Sequence, residues 1–122
     1  MLFLKQSKVE LDNFNQRDWE LLHSAMQSVV ESDYGTARRI RGQKDFLIAA
    51  KTGTGEIVSL DSREEYERIR EDQGLRDHAI IIAFAPVEKP KYAVSVIIEN
   101  GESGGSVTGP VALNILKELL KE

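Results

Sequence analysis

Two β-rich runs joined by a short, proline-bounded link constrain this chain more than any other feature in it. The first run, Ala79-Ile80-Ile81-Ile82-Ala83-Phe84, is apolar throughout and predicts a strand over 78–85 that is buried on both faces. The second, carrying Val94, Val96, Ile97 and Ile98, predicts a strand over 91–99. Parallel strands need a crossover of a dozen or more residues, and the stretch from Pro86 to Pro90 is far shorter. The two strands must therefore pair as an antiparallel hairpin.

A third strand is predicted over about 46–60, opening on the apolar run Phe46-Leu47-Ile48-Ala49-Ala50 and weakened in its middle by Gly53 and Gly55. A helix is expected over 16–30, with Asn15 as N-cap, Asp18 in the first turn and an apolar stripe of Trp19, Leu22, Met26, Val29 and Val30. Asp33-Tyr34-Gly35-Thr36 breaks it, and Arg38, Arg39, Arg41 and Lys44 then form a basic patch that reads as a solvated loop. Ser62-Arg63-Glu64-Glu65 is a capping-box pattern that starts a short helix to about residue 71, stopped by Gly74. With only Tyr66 and Ile69 as its apolar stripe, this helix reads as a surface insertion over 62–73. Residues 100–105 read as a flexible, glycine-rich loop. The last helix begins near Ser106, tolerates Pro110 in its first turn and runs to the end, with Val111, Ile115 and Leu119 as its stripe and Leu116 and Leu120 beside it. The fold class is α+β, an antiparallel sheet flanked by helices, with residues 1–122 forming one partial domain.

Composition narrows the chemistry. A net charge of -4 supplies no basic excess for phosphate contacts, so nucleic acid is not an expected partner. The absence of cysteine excludes disulfides, thiol catalysis and Cys-ligated zinc, and two histidines, His23 and His78, give little for a metal site. No metal and no cofactor is expected. Met1-Leu2-Phe3-Leu4 is too short an apolar stretch for a signal peptide or membrane anchor, so the chain as written reads as soluble.

The residues that carry chemistry are Lys51-Thr52-Gly53-Thr54, directly after the apolar start of the first strand. An ammonium and two hydroxyls at a strand end are donors for a carboxylate, and glycine admits a ligand close to the backbone. Alternation places Thr52 and Thr54 on one side, with Glu56 following on that same side. Lys51 also fits a plain solvated strand-end lysine. Trp19 and Met26 read as core residues, and His78 as a packing or hydrogen-bonding residue at a strand start.

Four stretches in order make the chain similar to a known family: Tyr34-Gly35-Thr36-Ala37; Ile48-Ala49-Ala50 leading into Lys51-Thr52-Gly53-Thr54; Arg76-Asp77-His78 leading into Ala83-Phe84-Ala85-Pro86; and Ile98-Glu99-Asn100-Gly101 followed by Gly104-Gly105-Ser106. It resembles the C-terminal part of the transpeptidase domain of class B penicillin-binding proteins, of the penicillin-binding protein 2 type, from about Leu11 to the end. The signature of that family is Ser-x-x-Lys, a Ser-x-Asn-type element and Lys-Thr-Gly. Only the third is present: no serine here is followed three positions on by lysine, and none begins Ser-x-Asn.

The resemblance implies a C-terminal fragment of a β-lactamase/transpeptidase-like fold. In the intact protein it implies a serine-type DD-transpeptidase that cross-links peptidoglycan stem peptides and binds β-lactams. It further implies attachment to the inner (cytoplasmic) membrane, with the catalytic domain on the outer, periplasmic face. Carried over by position, Lys51, Thr52, Gly53 and Thr54 bind substrate. Lys51 supplies charge to the carboxylate and the proton network, the backbone N–H of Thr54 forms half of an oxyanion hole, and Gly53 keeps the strand edge open. The nucleophile is missing, so the segment alone is expected to be inactive.

Two other readings stand beside this one: a non-catalytic binding or interaction module that keeps the carboxylate-binding strand, and a β-lactamase remnant. The family fold also implies that the last strand normally pairs with a strand from earlier in the domain. Without it, the edge at 91–99 is expected to dimerise or swap.

Overall fold

A computed structural model describes residues 13–57, 64–65, 67–68 and 73–121. Asn15 opens helix α1 (Gln16–Glu31) as its N-cap, accepting from the Asp18 N–H at 3.1 Å while the Asp18 carboxylate accepts from the Asn15 N–H at 3.0 Å. Such a cap is worth about 1 kcal/mol. The helix stops where Ser32 turns extended, and the Val29 carbonyl in its last turn accepts from the Ala37 N–H at 3.0 Å. Only Val30 of the expected stripe is fully buried; Leu22 is exposed, while Trp19 stacks between Phe14 and His23.

Strands β1 (Ala49–Gly55), β2 (His78–Ala85) and β3 (Tyr92–Ile98) form one antiparallel sheet in the order β1-β2-β3. β2 and the hairpin follow the sequence closely, because the apolar run is long and Pro86 cannot continue it. β1 is shorter than expected. It begins at Ala49, since Phe46, Leu47 and Ile48 pack before any ladder forms, and the expected residues 58–60 lie outside the described ones. Of the insertion expected at 62–73, residues 64–65 and 67–68 are helical and the others lie outside the description. Gln73–Leu75 form a single 3-10 turn before β2.

One sheet face is the core. Ala79, Ile81, Ala83 and Ala85 of β2 are buried there, with Ala50, Ile48, Ile40 and Val30 around them and Tyr92, Val94 and Val96 packed alongside. Helix α2 (Gly109–Leu119) covers this face through Ala112 and Leu116. The expected stripe of Val111, Ile115 and Leu119 is wrong: Val111 and Ile115 are exposed, because the helix is rotated so that small Ala112 lets it approach the sheet. Removing the Ile81 side chain from such a core costs about 2–5 kcal/mol.

β2 is not buried on both faces as expected. Its second face carries Ile80, Ile82 and Phe84, and Ile82 is 47% exposed. α1 reaches this face at Phe84, where the His23 ring lies 4.9 Å from the Phe84 ring, and leaves Ile82 uncovered.

The segment expected to be a flexible loop is instead packed into the fold. Gly104–Thr108 form a π-helical turn leading into α2, and Gly104, Gly105 and Thr108 are buried. Thr108 donates its hydroxyl to the Gly104 carbonyl. A Cβ on Gly105 would sit 1.7 Å from the Thr36 carbonyl oxygen, and one on Gly104 would sit 2.7 Å from that of Gly53. Only glycine fits where this turn presses on both neighbours.

Candidate functional site

Residues opposite one another in an antiparallel ladder share a face. Thr52 lies opposite Ile81 and Thr54 opposite Ala79, so both hydroxyls project on the core side of the sheet, at the margin of β1. Lys51 lies opposite Ile82 and Gly53 opposite Ile80, which puts them on the other face. The expectation that Thr52 and Thr54 share a side agrees with this register.

The core does not extend under the two threonines. An open groove of about 490 Å³ lies there, lined by Thr36, Arg38, Thr52, Thr54 and the stretch 102–105. Thr36 belongs to the break after α1, whose Thr36–Ala37 segment leads into a 3-10 turn at Arg38–Ile40. Its hydroxyl oxygen lies 2.7 Å from that of Thr52. That bond, together with Gly105 seated on the Thr36 carbonyl, ties three distant segments into one wall.

The 102–105 wall is held by a polar knot at the turn after β3. Asn100 adopts a left-handed φ of 56°, donates its N–H to His78 Nδ1 at 3.1 Å and donates its side-chain amide to the Gly74 and Arg76 carbonyls at 3.0 Å each. The Glu102 N–H donates to the Asp77 carbonyl at 2.8 Å. Arg76-Asp77-His78 and Asn100-Gly101 are thus parts of one scaffold. His78 has the hydrogen-bonding role expected of it.

Electrostatics at the groove come from Arg38 on one side and Glu102 on the other. Arg38 makes one long hydrogen bond, Nη1 to the Gly35 carbonyl at 3.5 Å. Asp33, near the same turn, is held by Arg41 at 2.6 Å, and its carboxyl lies below its ordinary range. The Arg41 hydrogen bond is the main cause, followed by the Arg41 charge and a smaller contribution from Arg38. Lys51 is exposed, and its ammonium donates to the Thr52 carbonyl at 2.5 Å. A Cβ on Gly53 would meet the Ile80 side chain, Cβ at 3.5 Å and Cγ2 at 4.0 Å, so among the described residues nothing demands glycine there. Glu56 is exposed beyond the strand end and does not line the groove.

Four hydroxyls (Thr36, Thr52, Thr54 and Ser103) and a guanidinium around an open groove are hydrogen-bond donors suited to an anion. Among the described residues, no groove hydroxyl is hydrogen-bonded to a histidine, lysine or carboxylate side chain that would activate it. No group of three or more His, Asp or Glu placed to hold a metal occurs among the described residues. Sequence reasoning assigned Thr36, Arg38 and Ser103 no site role. The signal that pointed toward them was the Gly-Thr after a helix break, paired with a later Gly-Gly.

Residues 4–117 match the family described as the penicillin binding protein transpeptidase domain. The peptidoglycan D,D-transpeptidase MrdA of Escherichia coli K12 is 36% identical over 102 residues, covering 84% of this chain and 16% of the relative. A crystal structure of Pseudomonas aeruginosa PBP2 in complex with WCK 5153 superposes with a TM-score of 0.68 at 33% identity, over 88% of this chain and 20% of the other. PBP2 in its complex with MreC from Helicobacter pylori gives the same TM-score and identity over 92% of this chain and 19% of the other. The chain thus spans less than a quarter of the length of each.

Proposed function

The chain belongs to the penicillin binding protein transpeptidase family, and from that premise we propose that it supplies the carboxylate-binding strand of a peptidoglycan D,D-transpeptidase of the PBP2 type. The intact enzyme joins stem peptides: a serine outside these residues attacks the D-Ala-D-Ala bond, the terminal D-alanine leaves, and an amine of a second strand resolves the acyl-enzyme. A β-lactam enters the same route and stops at the acyl stage.

In this reading the ligand lies along β1. Thr52 and Thr54 donate hydroxyl hydrogen bonds to its carboxylate, and the Thr54 N–H stabilises the developing oxyanion. Losing one such donor typically costs about 10²–10³ in rate. Lys51, on the opposite face of the strand, supplies charge toward the nucleophile and its proton network. Gly53, between the two threonines, keeps the strand edge open to the ligand backbone. The observation that carries the reading is the groove itself, with Thr52 and Thr54 projecting into it from one strand and Thr36 bonded to Thr52 at 2.7 Å.

By the same reading, the intact protein sits at the inner membrane with this domain on the periplasmic face. No described helix is long and apolar enough to cross a membrane. The segment on its own is inactive, and it self-associates through the outer side of β3.

Amide NMR of the chain titrated with N-acetyl-D-alanyl-D-alanine tests the reading. Shifts are expected at residues 36, 52–54 and 103–105, while intact mass after incubation with benzylpenicillin stays unchanged. Shifts confined to other surfaces, or a covalent penicilloyl adduct, would contradict it.

A further inference from the structure

The register of β1 separates the charge from the hydroxyls that a carboxylate would use. Lys51 lies opposite Ile82 on the far face, whereas Thr52 and Thr54 lie opposite Ile81 and Ala79 on the groove face. The Lys51 ammonium is also turned back onto the Thr52 carbonyl. The cation on the groove side is Arg38.

We infer that Arg38 is a specificity-determining residue of this groove, the cation that distinguishes a peptide ending in a free carboxylate from one that is amidated. The inference rests on the groove being the peptide site, and deepens that reading.

Three features support Arg38. Its position is fixed, because it follows Thr36 by two residues in a turn whose N–H at Arg38 donates to Gly35 at 3.2 Å, and Thr36 is bonded to Thr52. Its guanidinium is available: its one hydrogen bond, to the Gly35 carbonyl, is long, and among the described residues it forms no ion pair. Asp33, an acid shortly before this turn, is engaged by Arg41 at 2.6 Å. A planar fork with five donors then faces a groove that already offers hydroxyl donors, an arrangement matched to both oxygens of a carboxylate.

The test compares N-acetyl-D-alanyl-D-alanine with its C-terminal amide by NMR titration, in the parent chain and in Arg38→Gln, Arg38→Lys and Arg39→Gln. Arg39 carries the same charge on the same turn but does not line the groove. The parent should prefer the acid by about two- to fivefold, the range of a partly exposed charge pair. Arg38→Gln should abolish that preference, Arg38→Lys should keep part of it, and Arg39→Gln should retain it. Preference surviving in Arg38→Gln, or lost equally in Arg39→Gln, would overturn the assignment while leaving the groove as the peptide site. If neither peptide shifts residues 52–54, the underlying reading fails and the assignment fails with it. Preserved amide dispersion in each variant excludes misfolding as the cause.

Discussion

The hydroxyl oxygens of Thr36 and Thr52 lie 2.7 Å apart, joining a turn after the first helix to the middle of the first strand. Whichever hydroxyl donates, the pair orients the other's proton. If Thr36 donates, Thr52 has its own proton free for a ligand. Thr36→Val keeps the shape and removes the bond, and should lower stability by about 0.5–1.5 kcal/mol in urea unfolding. Thr36→Ser should restore most of it. Parent-like stability in Thr36→Val together with a loss in Thr36→Ser would mean that the methyl group, and not the hydrogen bond, matters.

Two glycines should respond oppositely to alanine. At Gly105 the added Cβ would lie 1.7 Å from the Thr36 carbonyl oxygen, so the 104–108 turn or the segment after α1 must move. Overpacking of this kind costs about 1–3 kcal/mol or more. At Gly53 the Cβ would make only an ordinary contact at 3.5 Å, so Gly53→Ala should stay within about 0.5 kcal/mol of the parent. The methyl group would lie on the Ile80 face, away from the two threonines, so peptide binding in the groove should also stay close to that of the parent. Denaturation and peptide titration of the two variants check both halves.

Acid should reveal the Asp33–Arg41 pair. The Asp33 carboxyl is held below its ordinary value in the folded chain, so its contribution is complete above the unfolded value and is lost as pH falls through the folded one. Urea midpoints of the parent and Arg41→Gln should therefore differ at neutral pH and converge below about pH 4. The pair is solvent-exposed, so the effect is small and shrinks with salt. Curves that stay parallel to low pH would assign no such linkage to the pair.

The sheet order leaves the outer side of β3 without a partner strand among the described residues, and Ile97 beside it is 62% exposed. Sedimentation velocity at low micromolar concentration should show self-association, and Ile97→Lys should suppress it. A clean monomer in the parent would contradict edge pairing.

What could be read in the sequence was whatever one local signal decides. The reciprocal Asn15 and Asp18 cap marks the start of α1, and the long apolar run closed by Pro86 marks β2. Facing directions needed the tertiary structure. Residues 111–120 carry apolar side chains on adjoining stripes, so periodicity did not distinguish Ala112 and Leu116 from Val111 and Ile115. Ile82 is as apolar as Ile81, and only the placement of α1 leaves it uncovered. The threonine pair of β1 was legible from alternation alone. Thr36 and Arg38 lie more than a dozen residues upstream and join the groove only through a long-range turn. Gly104-Gly105 looked like loose chain because a close-packing glycine and a flexible one are identical in sequence.

The central claim is that Thr52 and Thr54 present a binding site for a peptide carboxylate. A crystal structure of the chain with N-acetyl-D-alanyl-D-alanine tests it most directly. The account predicts the terminal carboxylate within hydrogen-bond distance of both hydroxyls, with Arg38 turned toward it. Peptide seated instead in the groove between Phe46 and Lys117, with Thr52 and Thr54 unliganded at saturation, would contradict it.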